Sequence, residues 1–207
     1  MNNLKAIETV YKGYRFRSRL EARWAVFFDT LGVQYEYEKE GFEIEGVGRY
    51  LPDFYLPQLD CWFEVKGQEP LDLEIKKAVA LGNETDKPVI ISIQSFDGLR
   101  VPNCYFFSGD TDQNGGGIYE NTGHFELKND KPVFIVSDYK IANGDRTIYT
   151  SIALQTPIDW VLAKGVKDTC EMYESSNQTS DMSVYKDIGK LEDAVIAACQ
   201  ARFEFNR

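Results

Sequence analysis

The tightest constraint on the fold lies in residues 50–66, YLPDFYLPQLDCWFEVK. Two runs rich in aromatic and apolar residues, 50–56 and 61–66, flank Pro57-Gln58-Leu59-Asp60. The pattern predicts two antiparallel strands with a short connection. Side chains on a strand alternate faces, so a single turn fixes the register of every pair. A hairpin centred between Gln58 and Leu59 sets Asp53 opposite Glu64, with Cβ atoms about 5 Å apart. In the second strand Phe63 and Val65 point inward, while Glu64 and Lys66 share the other face.

Two carboxylates in that relation repel one another, and a cation between them resolves the conflict. A hard divalent ion such as Mg²⁺ takes oxygen ligands at about 2.1 Å and keeps several waters. Asp53 and Glu64 are the candidate ligands. The Val65 carbonyl, read as an edge-facing backbone oxygen, is a candidate neutral one. Lys66 is then within reach of a water on the ion and of a bound phosphate. Such a water is acidified and can attack phosphorus. The plainer reading is an exposed polar face on a two-stranded ribbon, and the residues alone leave both open.

Upstream, Ser18 to Leu31 has the period of a helix, with Leu20, Trp24, Phe27, Phe28 and Leu31 on one face. Ser18 suits the N-cap and Gly32 the stop. Glu21 is a third acid, on the flank of the stripe in the first turn. Ser18-x-x-Glu21 also spells a capping box, and an acid there suits the helix dipole. Trp24 and Trp62 are expected in the core.

Short strands are expected at 33–38 and 88–94, a second short strand or a turn at 43–48, and a helix at 71–81. Further strands are expected at 103–107, 124–127 and 132–137. A helix starts at Thr156-Pro157, a polar loop spans 174–183, and an amphipathic helix runs over 185–203 with Ile188, Leu191, Val195 and Cys199 on one face. Asp110–Gly115 begins like a calcium loop but lacks the acid at its twelfth position, and reads as a polar turn. The expected organisation is a core over 1–98, a strand-rich extension over 99–183 and a terminal helix over 184–207 that packs back on the core.

Charge is uneven. The chain carries −10 overall, yet residues 1–35 carry +3, which leaves −13 for the rest. The acidity argues against non-specific coating of nucleic acid, while one basic segment can still hold a phosphate backbone. No run of about 18 apolar residues predicts a membrane span. The N-terminal residues form no apolar signal segment. The four cysteines lack any C-x-x-C and read as free thiols in a reducing, cytoplasmic compartment. One histidine, His124, cannot furnish a His-rich metal site.

Taken in order, RSRLEARWAVFF, YLPDFYLP and WFEVKG resemble the PD-(D/E)xK nuclease superfamily, with Glu on the first helix, Pro-Asp on a strand and Glu-x-Lys on the next. They are especially similar to phage-type endonucleases that resolve Holliday junctions. Gln200-Ala201-Arg202-Phe203-Glu204-Phe205 is similar to the end of a widespread group of phage and bacterial proteins. The resemblance covers residues 11–95.

It implies an α/β (α+β) restriction-endonuclease-like fold, a mixed sheet flanked by helices, and a Mg²⁺-dependent DNA endonuclease in which Mn²⁺ substitutes. Asp53 and Glu64 would ligate the ion, Lys66 would position or activate the attacking water, and Glu21 would help hold the ion or its water. Lys12, Arg15, Arg17 and Arg19 would line the phosphate approach, with Gln68 beside the site. DNA is the implied partner and a homodimer is compatible. The competing function is a non-catalytic inhibitor on a nuclease-like fold, whose acidic surface mimics DNA.

Overall fold

A computed structural model of the chain describes residues 6–93, 95–96, 101–102, 104–107, 121–128, 131–142, 145–154 and 188–203. The chain opens with a tight hairpin of β1 (Thr9–Tyr11) and β2 (Tyr14–Phe16), paired Tyr11 to Tyr14. Its two-residue turn is Lys12-Gly13, with φ of 46° and 86°. Two positive φ values are what the right-handed strand twist requires of so short a loop. The basic run thus forms a hairpin that the strand-and-helix reading did not contain.

Helix α1 (Arg19–Leu31) follows, and its limits match the sequence expectation. The Ser18 hydroxyl accepts the Glu21 N–H at 3.1 Å. At the other end Gly32 sits at φ 75° and its N–H caps the Asp29 and Phe28 carbonyls. A Cβ at Gly32 would meet nothing within 4 Å, so a side chain there is penalised through the backbone alone. Gly32→Ala is expected to destabilise by about 1 kcal/mol and Gly32→Asn by less. A lowered urea midpoint at unchanged m checks this.

The main sheet has eight strands in the order β12-β11-β10-β9-β8-β7-β6-β3. They are β3 (Glu36–Tyr37), β6 (Phe54–Leu56), β7 (Cys61–Val65), β8 (Val89–Ser92), β9 (Cys104–Phe107), β10 (Asn121–Lys128), β11 (Lys131–Ala142) and β12 (Asp145–Leu154). A separate hairpin pairs β4 (Phe42–Ile44) with β5 (Gly48–Tyr50). β7 and β8 run parallel, joined through α2 (Asp72–Thr85), and the other paired strands described run antiparallel. A parallel pair needs such a crossover. The fold is therefore a mixed α/β sheet flanked by helices. β9 to β12 continue the sheet that contains β6 and β7.

The β6–β7 register pairs Phe54 with Phe63, Tyr55 with Trp62 and Leu56 with Cys61, which is the register predicted from the turn. The expected strand 50–56 is nevertheless split, because residues 51–53 leave the sheet between β5 and β6. The strand expected over 33–38 is reduced to Glu36–Tyr37. Gln34 gives its N–H to the Gln58 side chain at 2.8 Å, and Glu38 has φ 46°, so both ends leave the ladder.

Around β7, β8 and β9 both faces of the sheet are covered. On one face α1 and the last helix, α3 (Ile188–Gln200), pack over Phe54, Phe63, Ile90, Cys104, Phe125 and Phe134. Trp24 is at the centre, its ring 4.7 Å from Phe63 and 4.8 Å from Phe96. The α3 face that packs is Leu191, Ala194, Val195, Ala198 and Cys199. On the opposite face α2 and the β4–β5 hairpin cover Trp62, Val89, Ile91 and Phe107. Glu64 therefore lies on the Trp62 side, beneath other elements, and the exposed-ribbon reading of that face fails. β7 sits between β6 and β8, but β6 begins at Phe54, opposite Phe63, so Val65 has a ladder partner only on the β8 side, Ser92. Cys61, Cys104 and Cys199 are free thiols. Among the described residues no helix is long and apolar enough to cross a membrane. The expected helix at Thr156, the 174–183 loop and the calcium-like turn lie outside the described residues.

Candidate active site

The end of β7 brings three acids together. Glu21, Asp53 and Glu64 are 7%, 4% and 7% exposed, and they come from α1, the bend before β6 and β7. Asp53, just before β6, lies beside Glu64, whose Oε2 accepts the Asp53 N–H at 3.3 Å. The Asp53 carboxylate takes over a backbone acceptor's work, its Oδ2 receiving the Val65 N–H at 2.8 Å. This bond explains why a bend is tolerated beside a central strand: the side chain satisfies the β7 donor that the departing backbone leaves.

Two cations close the cluster. Arg17 Nη2 is 2.7 Å from Asp53 Oδ1, and its Nε is 2.7 Å from Glu38 Oε1. Lys66 Nζ lies 3.0 Å from Glu64 Oε1 and 2.9 Å from Glu74 Oε1. Glu74 is fixed in turn, its Oε2 accepting the Leu71 N–H at 2.8 Å at the start of α2. The Lys66 main chain is held at the end of β8, its N–H going to Ser92 O and Oγ.

Glu21 lies on the capped first turn of α1 and within the acidic cluster. Its N–H is capped by Ser18, but its carboxylate does not complete the box on Ser18. Oε2 instead accepts the Arg17 N–H at 3.0 Å and the Tyr37 hydroxyl at 2.7 Å. Glu21 is thus tied to the main chain of the residue whose guanidinium holds Asp53.

The electrostatics follow from this crowding. Burial pushes the Asp53 carboxyl well above its ordinary value, Glu64 and Glu21 push it further, and the Val65 N–H and Arg17 only partly oppose them. Burial acts to lower Lys66, but Glu64 and Glu74 outweigh it, and the ammonium is held above its ordinary value. Glu74 is lowered: burial opposes this, and the Leu71 N–H and Lys66 prevail. The Tyr50 phenol faces Glu64, and burial followed by that negative charge raises it strongly.

The site opens into a cleft of about 680 Å³ between the β4–β5 hairpin and α2, with Glu64 and Lys66 among its lining residues. Its other cations are Arg17, Lys77 and Arg49, the last paired with Glu43 of the same lining at 3.0 Å. The cations expected along the phosphate approach divide between two places. Arg17 lines the cleft, but Arg15 pairs with Glu8 at 3.6 Å on the first hairpin, and Lys12 pairs with Asp29 at 3.1 Å. Arg19 is half-buried at the first position of α1, and Gln68 is exposed past β7. Neither lines the cleft.

Sequence reasoning missed Tyr37, Glu38, Tyr50, Glu74, Arg49 and Lys77. Only Glu74 carried a local signal, as an acid in the first turn of a helix.

The residues present fit a hard divalent ion in part. Three nearly buried carboxylates meet two cations, and burial together with the neighbouring acids disfavours the charged form of Asp53. Among the described residues no group of three or more His, Cys, Asp or Glu side chains is arranged to hold a metal ion. Asp53 and Glu64 alone suit Mg²⁺, which often takes one or two carboxylates and completes its shell with water. Comparison of the chain with protein-family models, curated proteins and solved structures finds no match.

Proposed function

We propose that the protein is a Mg²⁺-dependent nuclease that hydrolyses phosphodiester bonds in DNA, on a restriction-endonuclease-like arrangement of its sheet. The observation that carries this reading is the meeting of Asp53 and Glu64 at the end of β7, with Lys66 on Glu64 and a cation-lined cleft above. The order of elements supports it: an acid-bearing helix, an antiparallel pair, then a parallel strand reached through α2.

Asp53 and Glu64 would hold the ion, which when bound polarises the phosphate and makes water a better nucleophile. Lys66 stays protonated beside two carboxylates, so its role is to place an ammonium against negative charge that builds on the phosphate, not to remove a proton. Glu21 fixes the Arg17 main chain and adds negative charge next to Asp53. Arg49 and Lys77 stand where flanking phosphates would enter.

Supercoiled DNA incubated with the protein should be cut in Mg²⁺ and left intact in EDTA. The pair Arg49→Ala and Lys77→Ala should raise KM several-fold, leave kcat near wild type, and flatten the salt dependence by about two phosphate contacts. No metal-dependent cleavage of any nucleic acid by the folded protein defeats the nuclease reading. The closed ion pairs Arg17–Asp53 and Lys66–Glu64 would then favour the non-catalytic, DNA-mimicking reading.

A further inference from the structure

We infer that Arg17 is an exchangeable counter-ion, which leaves Asp53 when the divalent ion arrives and turns to a phosphate of the substrate. The inference rests on the nuclease reading and deepens it. Both oxygens of Asp53 are in use: Oδ2 holds the Val65 N–H at 2.8 Å, and Oδ1 holds Arg17 Nη2 at 2.7 Å. Each oxygen keeps a second lone pair, so a ligand bond need not break either of these two. A divalent cation there nevertheless weakens both, by drawing charge off the carboxylate and repelling the donors.

The two differ in what their loss entails. Val65 N–H is a sheet donor, and freeing it strands a polar group in a part-buried ladder. Arg17 can leave without that penalty. Its side chain is 53% exposed and lines the cleft that also contains Arg49, Lys66 and Lys77. Its main chain stays fixed meanwhile, because the Arg17 N–H is held by Glu21 Oε2 and Tyr37 Oη, each at 3.0 Å. A clamped backbone under an exposed guanidinium is a pivot, and the planar fork suits a phosphate as well as it suits a carboxylate.

Arg17 thereby makes metal and phosphate binding cooperative. An ion on Asp53 frees the guanidinium for substrate, and a phosphate that draws Arg17 away opens Asp53 to the ion. By linkage the two effects are equal in size. Glu38, at 2.7 Å from Arg17 Nε, keeps the guanidinium near the site while it changes partner.

The test reads the arginine Nε–Hε resonances of the full chain during a Mg²⁺ titration, with calorimetry on the same samples. Arg17 is assigned as the signal lost in Arg17→Lys. We expect that signal to move as Mg²⁺ saturates, and Arg17→Gln to bind Mg²⁺ about ten-fold tighter than wild type. Mg²⁺ uptake with an unmoved Arg17 signal, or Arg17→Gln binding no tighter, overturns the inference and leaves the nuclease reading standing. Calorimetry that detects neither Mg²⁺ nor Mn²⁺ uptake removes both.

Discussion

Asp53→Asn is expected to lose metal-dependent cleavage by about 10²–10³-fold or more while melting at a higher temperature than wild type. The two effects have one origin. At 4% exposure the Asp53 carboxylate is flanked by Glu64 and Glu21, and its carboxyl is pushed well above its ordinary value of 3.8. The folded chain thus binds this proton more tightly than the unfolded chain does. Its contribution to stability is full below about pH 3.8 and is lost as the pH rises through the raised folded value. Above that raised value the ionised group works against the fold, and asparagine removes that charge in nearly the same shape. Its one remaining carbonyl oxygen stays on the Val65 N–H, while the amide NH₂ replaces the acceptor of the exposed Arg17.

The gain should be on the order of 1 kcal/mol, or about 2–4 °C in a chain of this size, and should shrink as the pH is lowered. Mg²⁺ should raise the wild-type melting temperature and leave Asp53→Asn nearly unchanged, since only a state that binds the ion is stabilised by it. Thermal melts across pH, with and without Mg²⁺, check every part. A variant that retains cleavage, or one that melts lower at neutral pH, contradicts the account of Asp53 as a strained ligand.

The legible parts of this molecule are those where a local period decides the outcome. The α1 stripe, its Ser18 cap and its Gly32 stop are set within one helix, and the structure has all three. The β6–β7 register was legible for the same reason, since a four-residue connection admits few registers, and it brings Asp53 beside Glu64 although Asp53 itself lies just outside the ladder. Lys66 beside Glu64 likewise follows from two residues on one strand face.

What stayed hidden depends on tertiary position. Arg15 and Arg17 are two residues apart and were read as one basic group. The Lys12-Gly13 turn leaves Arg15 on an exposed strand, whereas Arg17, beyond that strand, turns into the cluster. Arg49 and Lys77 face one cleft because a hairpin and a helix far apart in the chain meet over β7. No periodicity carries that information. β12 was missed as well; its residues, DRTIYTSIAL, alternate only weakly, and its place is set by pairing with β11.

Lys66→Met should produce the opposite pairing of effects: activity lost, as with Asp53→Asn, but stability lost as well. Lys66 Nζ bridges Glu64 and Glu74, and its side chain is only 26% exposed. Methionine keeps the stem and the volume but leaves Glu64, whose side chain is 9% exposed, against Asp53 with no cation of its own. Removing one partner of such a pair costs about 3 kcal/mol, because the remaining charge stays desolvated. The melting temperature should then fall by about 6–12 °C.

Charge, and not packing, is the cause assigned, so the loss should be recovered by Glu64→Gln on the Lys66→Met background. Activity should not return in the double variant, since it lacks both an ion ligand and the ammonium. The wild-type rate should show no inflection from Lys66 between about pH 7 and 10, because its ammonium is held above the ordinary 10.5. A rate that climbs with an apparent pKa in that window and loses the inflection in Lys66→Arg would make Lys66 a base and refute its role as a fixed cation. Should Lys66→Met melt like wild type, the bridge between Glu64 and Glu74 contributes nothing to the fold, and the cluster owes its order to the β6–β7 register alone.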